Sequence, residues 1–598
     1  MDLATLKALK PAEYSEAAGG YRSTSDMAST AKDRIDNQIA VAMRNHLKGE
    51  AATAAVKQLG KLSQNFHYIQ AQCGLIGTAL EAFSYEMEAA RRKLDAALEN
   101  ARAANLTVNS DGSVTYPPGG EKGEDGKTPG GGTVSGLTDG AASAVGRQAA
   151  NFDPNPHHRL AQDCADLIAT ALKEATEADK KWAPKLRALR ADDDLTVSDA
   201  DWADTSSDTK GVTEAGKQYL DSLPQPPKDG SPKENAEWWK ALSAEEQAAW
   251  VSARPGTVGG LDGLPSMVRD EANRIVFDTT RGRMQMELNS IPAPPANEWT
   301  WVTVGGYPSK VRTDEWMQWN NKYGDRYDQL DRSLKGMQAI QNRFDATGRR
   351  GLPEAYLLGF NAEKDGRAII ANGNPDTADH TAVYVPGTES DLGGIEGNIS
   401  RMVNVWHAAN NEADGKSAST ITWLGYDAPD DVFKDAPFEH YAYDGAPAFR
   451  SFMDGLDASR SGDSPGHTTV IAHSYGTTLV GAAAQTGHLN TDEVIFAGSP
   501  GVKVSSAEEM DVPKGNVWNQ EADGDVVPDV GRWGHGGDGF IIPSDPEFGA
   551  NQVATDTEGH SDYWKPDTES LLNQALIVVG KGDEVALKPP PDPWAHSR

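Results

Sequence analysis

The stretch HTTVIAHSYGTTLVG, His467 to Gly481, decides the fold of the second half of this chain. Its β-branched, apolar run from His467 to Ala472 predicts a buried strand, and the small residues after it predict a helix. Ser474 lies between the two. Ala472 and Gly476, two residues before and after it, are small, as is required where a tight turn brings the strand and helix backbones together. The pattern predicts that Ser474 is a nucleophile on a strand-to-helix elbow, with an ordinary turn serine as the alternative.

The chain around this elbow alternates between short apolar runs and helical patterns from about Glu354 onward. Strands that are apolar throughout and separated by helices are typical of a mostly parallel sheet covered on both faces. The sequence therefore predicts an α/β fold for this half, with helices at 394–410, 441–459 and 476–486. The predicted strands are EAYLLGF, RAIIA, TAVYVPG, STITWLGY, HTTVIAHS, TDEVIFAG and GNVWNQ.

The N-terminal region is predicted to be helical from Ala12 to about Ala104, with an interruption at LKGE, Leu47 to Glu50, that lets the first helix fold back on the second. An apolar stripe with steps of three and four residues indicates that the second helix packs on another helix. The stripe is interpreted as the core of an antiparallel hairpin, or alternatively as a partner-binding surface. It consists of Leu59, Leu62, Phe66, Ile69, Cys73, Ile76, Leu80, Phe83, Met87, Ala90, Leu94 and Ala97.

Composition divides the 598 residues, which are too many for one domain, into five regions. One stretch rich in Gly, Pro, Ser and Thr has few large apolar residues and predicts a flexible linker. Two capping boxes, Ser231 with Glu234 and Ser243 with Glu246, predict helix starts farther along. The predicted organisation is a long α-helical hairpin at 1–105, the linker at 106–150, a mainly helical region at 151–345, the α/β domain at 346–580 and a Pro-rich tail at 581–598.

Charge and cysteine content argue against several classes of function. A net charge of −32 opposes binding to nucleic acid and to anionic lipid surfaces. The two cysteines, Cys73 and Cys164, show neither CxxC nor Cys/His spacing, so no metal site and no cofactor are predicted. The N-terminus lacks the pattern of a signal peptide, and no apolar run of about 18 residues predicts a transmembrane segment. A cytoplasmic location is expected, with export by a signal-peptide-independent route as the alternative.

A serine nucleophile on such an elbow requires an acid and a histidine after it in the sequence, in that order. The acid belongs in the loop after a later strand, and the run GNVWNQ leads directly into ADGDVVPDV. Three aspartates of this loop, Asp523, Asp525 and Asp529, compete for the role.

His560 is the predicted base. It lies 35 residues beyond Asp525, after a further strand-like run at Phe540–Ile542, and precedes the C-terminal helix. His535 is the alternative, although it follows Asp525 by only ten residues and leaves little room for another strand. His473 adjoins the nucleophile and is expected to pack instead.

In such a triad the histidine takes the serine proton, and the aspartate fixes the imidazole tautomer and stabilises its charged form. Two backbone N–H groups must also converge on the developing oxyanion. One is predicted to be that of Tyr475, directly after the nucleophile. The other is expected in the loop VYVPGTESDLGG, where Gly387 allows close approach and the N–H of Thr388 points at the negative charge. A generic turn glycine is the alternative for Gly387.

Six segments within 352–564 resemble, in this order, an actinobacterial family of uncharacterised α/β-hydrolase proteins: VYVPGT, TWLGYDAP, VIAHSYGT, FAGSPGV, ADGDVVPDV and GHSDYW. The resemblance implies an α/β-hydrolase fold and a Ser/Asp/His triad, which falls on Ser474, Asp525 and His560. The sequence Asp-Val-Val-Pro also resembles the Asp-x-Val-Pro acid loop of fungal-type lipases, which favours Asp525 over Asp523. The family implies no particular substrate.

The N-terminal hairpin more loosely resembles the helical-hairpin proteins exported by type VII secretion. Their Trp-x-Gly turn corresponds to Leu47-Lys48-Gly49, which lacks the tryptophan. A Tyr-x-x-x-Asp match at Tyr327–Asp331 resembles their export signal but lies far from the hairpin.

Two functions follow from these patterns. The first is a serine hydrolase that cleaves carboxylic esters in the manner of an esterase or lipase, with a small-molecule ester as substrate. The second is an interaction or exported structural protein, in which the N-terminal helices bind a protein partner or self-associate and the hydrolase domain is idle or secondary. An intact triad favours the enzyme, whereas the long non-catalytic half favours a partner.

Overall fold

The computed structural model describes residues 1–190, 196–461 and 466–589. The predicted Pro-rich tail, 581–598, therefore lies partly outside the described residues. Within the described ranges, no helix is both long enough and apolar enough to cross a membrane.

Helices make up most of the chain before the large sheet. The predicted interruption is present, because one helix ends at His46, the next begins at Glu50, and Gly49 between them has a φ of +100°. The helices are Leu3–Ala8 (α1), Pro11–Arg34 (α2), Ala40–His46 (α3), Glu50–Ala103 (α4), Gly140–Asn151 (α5), Pro156–Ala188 (α6), Asp199–Ala215 (α7), Lys217–Ser222 (α8), Pro232–Ala241 (α9), Ala244–Ala253 (α10), Pro255–Gly260 (α11), Ser266–Ser290 (α12), Asp314–Trp319 (α13) and Asp325–Asp345 (α14).

The apolar stripe predicted on α4 is buried only along its C-terminal half. Met87 and Leu94 are fully buried there, against α2 on one side and α6 on the other. In the N-terminal half the prediction was wrong, since Leu62 and Ile69 are 42% and 39% exposed. Up to Gln70, the buried residues of that half are polar: Ser63, His67 and Gln70 each have a hydrogen-bond partner on another helix or on the π-helical segment Ile35–Ile39.

The segment predicted as a flexible linker contains three short strands, Thr107–Val108 (β1), Val114–Tyr116 (β2) and Gly132–Val134 (β3), which form an antiparallel sheet. Asn155, which caps α6, holds this segment in place. Its amide nitrogen donates to the carbonyls of Pro117 and Gly130, both at 2.9 Å. Pairing of backbone groups thus orders a segment whose side chains bury little apolar surface.

The middle region contains two helices before the predicted capping boxes. The acidic stretch before residue 230 forms α7 and α8, and Ser198 with Asp201 makes a capping box at the start of α7. Both predicted capping boxes, at Ser231 and Ser243, are confirmed. A β-hairpin, Trp299–Val304 (β4) and Tyr307–Arg312 (β5), precedes α13 and was not predicted.

An eight-stranded, mostly parallel sheet forms the core of the second half, with the order β13-β12-β11-β10-β8-β9-β7-β6. Only the pairings of β7 with β6 and β9 are antiparallel. Helices cover both faces, which confirms the predicted α/β class. The strands are Ala355–Asn361 (β6), Arg367–Asn372 (β7), His380–Val385 (β8), Ala418–Leu424 (β9), His467–His473 (β10), Glu493–Ala497 (β11), Val517–Gln520 (β12) and Asn551–Val553 (β13); the helices are Ile395–Glu412 (α15), His440–Ser459 (α16), Tyr475–Thr486 (α17), Val527–His535 (α18) and Glu569–Val578 (α19).

The helical region is joined to the edge of this sheet through α12. Asn273 donates to the carbonyl of Leu357 on the edge strand β6 at 3.0 Å, and Asp270 accepts from the Leu357 N–H at 2.6 Å. An edge strand whose backbone groups are used in this way is protected from pairing with other chains.

One predicted strand is absent. The run at Phe540–Ile542 is not a strand; Phe540 ends a short 3₁₀ turn, Asp538–Phe540, and the last strand is β13. The three apolar residues Phe540, Ile541 and Ile542 have too little length to distinguish a strand from a packed turn.

Candidate active site

Ser474 occupies a strained turn between β10 and α17. Its φ of 53° and ψ of −130° are costly for a residue with a side chain, on the order of 1–3 kcal/mol, and such strain is concentrated at functional sites. A Cβ on Gly476 would lie 2.4 Å from the carbonyl oxygen of Val385, so the helix approaches β8 at a distance that only glycine permits. The predicted sequence of strand, tight turn and helix is therefore present at Ser474.

Five parallel strands direct the neighbouring loops to the same edge of the sheet. The register pairs Ala472 of β10 with Val385 of β8, and Ala497 of β11 with Gln520 of β12. The loops after the carboxyl ends of these strands and of β13 therefore meet, which is where ligands bind in open α/β sheets. They carry Gly387, Ser474, Gly498, Asp525 and His560.

His560 and Asp525 are in direct contact. Nδ1 of His560 lies 2.9 Å from each carboxylate oxygen of Asp525. Tyr563 donates its hydroxyl to Oδ2 at 2.6 Å, and the Val527 N–H donates to Oδ1 at 3.0 Å. Burial tends to raise the pKa of Asp525, but the hydrogen bonds from His560 and Tyr563 outweigh it and hold the pKa below its usual value.

The competing aspartates lie elsewhere. Asp523 and Asp529 are exposed, whereas the side chain of Asp525 is fully buried. Asp523 contributes its backbone, since its carbonyl accepts the Gly559 N–H at 2.8 Å directly before His560. The loop of Asp523 thus positions the histidine, and Asp525 is the carboxylate that contacts it.

The competing histidine, His535, ends α18 and is buried away from the carboxylate. Its ring packs edge-on against Tyr475, with centroids 5.2 Å apart. Burial and the neighbouring Lys503 lower the pKa of His535 to about 4, so the imidazole is neutral.

His473 has a specific contact that the sequence analysis did not foresee. Its Nε2–H donates to the carbonyl of His560 at 2.7 Å, and the two rings lie 4.7 Å apart. Burial, together with the neighbouring side chains of His560 and Arg401, holds the pKa of His473 well below its usual value, so the ring stays neutral and its tautomer is fixed by the carbonyl. His473 therefore orients the backbone of His560 in addition to packing.

Gly498 lies beside the His560–Asp525 pair and follows the residue that contacts Ser474. Its φ is +58°, and a Cβ there would lie 2.6 Å from Oδ2 of Asp525 and 2.8 Å from Nδ1 of His560. The residue before it, Ala497, accepts the Ser474 N–H at 3.1 Å. Both the backbone conformation and the space at this position therefore require glycine.

No hydrogen bond joins Ser474 Oγ to the imidazole of His560 in the described part of the chain. Ser474 and His560 are nevertheless on adjoining loops, because the elbow contacts Ala497 and the imidazole lies close to Gly498. Such catalytic hydrogen bonds are often long in ligand-free sites and shorten when substrate binds.

The predicted oxyanion loop lies against the elbow. A Cβ on Gly387 would be 2.6 Å from Cβ of Ser474 and 3.0 Å from the backbone nitrogen of Tyr475. Tyr475 is the first residue of α17, so its N–H has no carbonyl partner within the helix. Thr388 follows Gly387 in the same loop, which is held by the hydrogen bond from the Glu389 N–H to the carbonyl of Pro429 at 2.8 Å.

Residues 361–534 match the protein-family model described as "Alpha/beta hydrolase". The second half of the chain has an α/β-hydrolase fold. The match includes Ser474 and Asp525 and ends before His560. No solved structure matches the chain.

Relatives of known sequence are uncharacterised mycobacterial proteins. A protein of Mycobacterium tuberculosis strain H37Rv is 30% identical over 397 residues, which are 60% of this chain and 57% of that protein. A protein of Mycobacterium bovis is 28% identical over 196 residues, which are 30% of this chain and 73% of that protein. The chain thus spans little more than half the length of the first of these relatives.

Exposed apolar side chains follow Asp525 along α18. Val526, Val530 and Trp533 lie along one side of α18, directly after Asp525, and each is about two thirds or more exposed. The ring of Phe540 packs against Trp533 with centroids 4.9 Å apart and planes tilted by 56°, and Phe433 is 89% exposed in the loop before α16. We call this set, Phe433, Val526, Val530, Trp533 and Phe540, the apolar rim.

Sequence reasoning missed Tyr563, Gly498 and the contact of His473. The motif GHSDYW contains Tyr563 three residues after His560, but a tyrosine there is equally consistent with core packing. The glycine in FAGSPGV is one of many loop glycines, and its requirement depends on two side chains from other loops.

Proposed function

We propose that the α/β-hydrolase domain cleaves carboxylic esters through an acyl-enzyme intermediate, with Ser474 as nucleophile, His560 as base and Asp525 as the acid that orients it. The observation that carries the proposal is the contact of His560 Nδ1 with both oxygens of a fully buried Asp525, on loops adjoining the strained turn of Ser474. A carboxylate on Nδ1 leaves Nε2 free to accept a proton.

In the first half of the reaction, Nε2 of His560 takes the proton of Ser474 while Oγ attacks the ester carbonyl carbon. The N–H groups of Tyr475 and Thr388 stabilise the oxyanion of the tetrahedral intermediate; loss of one such donor typically costs about 3 kcal/mol of transition-state stabilisation. The imidazolium then protonates the leaving alcohol, and the acyl group remains on Ser474.

In the second half, His560 takes a proton from a water molecule that attacks the acyl-enzyme. The second tetrahedral intermediate collapses, Ser474 regains its proton from His560, and a carboxylic acid leaves. Asp525 stays ionised throughout, because its hydrogen bonds hold its pKa below the usual value.

The apolar rim supports esters with an apolar acyl chain as the substrates. Exposed apolar side chains next to a catalytic loop gain free energy when they cover a hydrocarbon chain, at about 25 cal/mol per Å² removed from water. Few charged groups interrupt the rim along α18 itself, where Asp529 and Arg532 are the exceptions.

The test is labelling of the intact protein with a fluorophosphonate probe, followed by peptide mass spectrometry. An adduct on Ser474 that is lost in Ser474→Ala and in His560→Ala is the expected result. His488→Ala is the matched control, since His488 is an exposed histidine that pairs with Asp511 at 2.6 Å and is outside the site. An adduct that persists in His560→Ala would contradict the triad. A folded protein without any adduct would favour the interaction-protein hypothesis.

A further inference from the structure

A cavity of about 700 Å³ lies between the N-terminal helices and the helices that cover the sheet edge. Its walls come from the π-helical segment Ile35–Ile39, from α3 and α4, and from α12 and α14. The interruption between α3 and α4, Leu47–Gly49, lies on its border. None of the proposed triad residues lines this cavity, so it is a separate site whose volume is in the range of small-molecule pockets.

His67 is the buried polar group of this cavity. It is 5% exposed, and its Nδ1 lies 3.0 Å from Oδ2 of Asp278. Its other ring nitrogen, Nε2, is buried and has no hydrogen-bond partner among the described residues. Buried polar atoms in folded proteins almost always have a partner, so this nitrogen indicates a group that belongs in the cavity.

Cations in the wall exceed the carboxylates that could neutralise them. Arg44 and Arg349 lie near one another, since the guanidinium of Arg44 donates to the carbonyl of Thr347. Neither arginine has a carboxylate within ion-pair distance in the described ranges, and Nε of Arg44 is buried without a partner. Burial and the charge of Arg349 lower the pKa of Arg44, and the carboxylates of Asp345 and Asp36 offset this only in part. The chain as a whole has a net charge of −32, so a local excess of cationic side chains over carboxylates indicates a site for an anion.

Four carboxylates line the cavity, and among the described residues only Asp36 and Asp278 form ion pairs. Asp345 accepts from Gln341 at 3.1 Å, and Glu354 accepts from Tyr356 at 3.0 Å. Asp36 accepts from Ser63 at 2.8 Å and pairs with Lys32 at 3.2 Å. Asp278 pairs with His67 and lies 3.4 Å from Arg281. Three further lysines of the wall, Lys48, Lys57 and Lys61, have no carboxylate partner in the described part of the chain.

Part of the remaining wall is apolar. Phe277 and Phe344 pack edge to face with centroids 6.1 Å apart, and Met43 and Val56 line the cavity as well. The guanidinium of Arg274 lies 3.8 Å from the centroid of the Phe344 ring. A ligand that fills the space therefore meets both hydrocarbon and cationic groups.

We propose that this cavity binds a small amphiphilic anion, with a phosphate or carboxylate head group held by Arg44 and Arg349 and an apolar body packed on Phe277 and Phe344. His67 supplies a further hydrogen bond through Nε2, and Asp278 fixes its ring orientation. Arginine matches both head groups by paired, charge-assisted hydrogen bonds. The polar face of α4, which contradicts a simple hairpin core, thus forms part of a ligand site.

The test is isothermal titration calorimetry of the full chain with octyl phosphate, octanoate and, as a neutral probe, 1-octanol. Arg44→Gln combined with Arg349→Gln is expected to weaken binding of the anionic probe at least tenfold. Lys10→Gln combined with Lys173→Gln is the control, because it removes the same charge from exposed lysines that pair only with neighbours on their own helices. His67→Phe, which removes Nε2 but keeps an aromatic ring, is expected to weaken binding as well.

Tight binding of octyl phosphate alone assigns a phosphate head group, and tight binding of octanoate alone assigns a carboxylate. Binding of 1-octanol with equal affinity would overturn the proposal, as would the absence of binding by both anions or an equal loss in the lysine control. Ser474 takes no part in these titrations, so the result is independent of the proposed esterase activity.

Discussion

The hydroxyl of Tyr563 donates a 2.6 Å hydrogen bond to Oδ2 of Asp525, the same oxygen that lies 2.9 Å from Nδ1 of His560. Tyr563 is itself fixed, because the Ala522 N–H donates to its hydroxyl at 3.1 Å. The carboxylate is thus held from both sides, and its freedom to rotate away from the imidazole is small. Preorganisation of this kind is what a general base requires from its supporting residues.

Replacement of Asp525 by Asn is expected to lower kcat on an ester substrate by about 10⁴-fold, since an amide on Nδ1 favours the wrong imidazole tautomer. Asp523→Asn is the matched control, with activity within a few-fold of the wild type, because that side chain is exposed. Steady-state hydrolysis of a p-nitrophenyl ester measures kcat for both variants. Equal losses in the two variants would contradict the assignment of the acid.

Gly498→Ala is expected to lower kcat/KM by about 100-fold, because the new Cβ would collide with the His560–Asp525 pair and displace the imidazole. The control is Gly515→Ala. Gly515 has a similar positive φ of +91° but nothing within 4 Å of a Cβ, so it carries the backbone strain without the collision. If both variants lose activity equally, strain alone accounts for the effect and the close packing at Gly498 is unimportant.

Tyr563→Phe is expected to move acid unfolding to higher pH. Asp525 has a lowered pKa in the folded protein, so it stabilises the fold above its ordinary pKa, and this stabilisation is lost as the pH falls through the folded value. Loss of the tyrosine donor raises the pKa of Asp525 in the folded protein. The range of pH between this pKa and the ordinary pKa of an aspartate, over which stability is lost, becomes narrower. Tryptophan fluorescence against pH follows the transition. Tyr443→Phe, which loses a hydrogen bond to neutral Gln485, should leave the acid midpoint in place.

His535→Asn is expected to flatten the pH dependence of stability between about pH 6.5 and 4. The folded pKa of His535 is about 4, below the ordinary value of 6.5, so the unfolded chain binds more protons in this range and stability falls on acidification. At pH 5 the loss from this residue is about 2 kcal/mol. Urea midpoints at pH 7 and pH 5 measure it, and an unchanged difference between the two midpoints in the variant would count against a buried neutral imidazole.

Trp533→Ser is expected to lower kcat/KM for long-chain esters about tenfold and to leave short-chain esters nearly unchanged, because Trp533 belongs to the apolar rim. A p-nitrophenyl ester series from acetate to palmitate measures the change. Phe152→Ser removes an equally exposed aromatic side chain from the N-terminal half and should affect no chain length. A uniform loss at every length in Trp533→Ser would assign the residue to the fold of α18 instead.

Much of the fold could be predicted from local pattern. The seven predicted strands correspond to β6 through β12, because each is a continuous apolar run bounded by turn residues, and the elbow at Ser474 has small residues where backbones approach. Two predictions failed because the local sequence does not contain the information that they needed. The run Phe540–Ile542 is too short for its side-chain period to distinguish a strand from a turn. The 106–150 segment is ordered by backbone pairing and by Asn155, and amino-acid composition does not reveal either.

The sequence by itself determined the α/β class and the position of Ser474 on its turn, because these depend on side-chain periodicity and on small residues at fixed offsets. Only the tertiary structure decided which aspartate contacts His560, that Gly498 must be glycine, and that Ser63, His67 and Gln70 are buried in the N-terminal half of α4. These features arise from contacts between residues far apart in the chain. Local sequence does not predict which distant residue a side chain contacts.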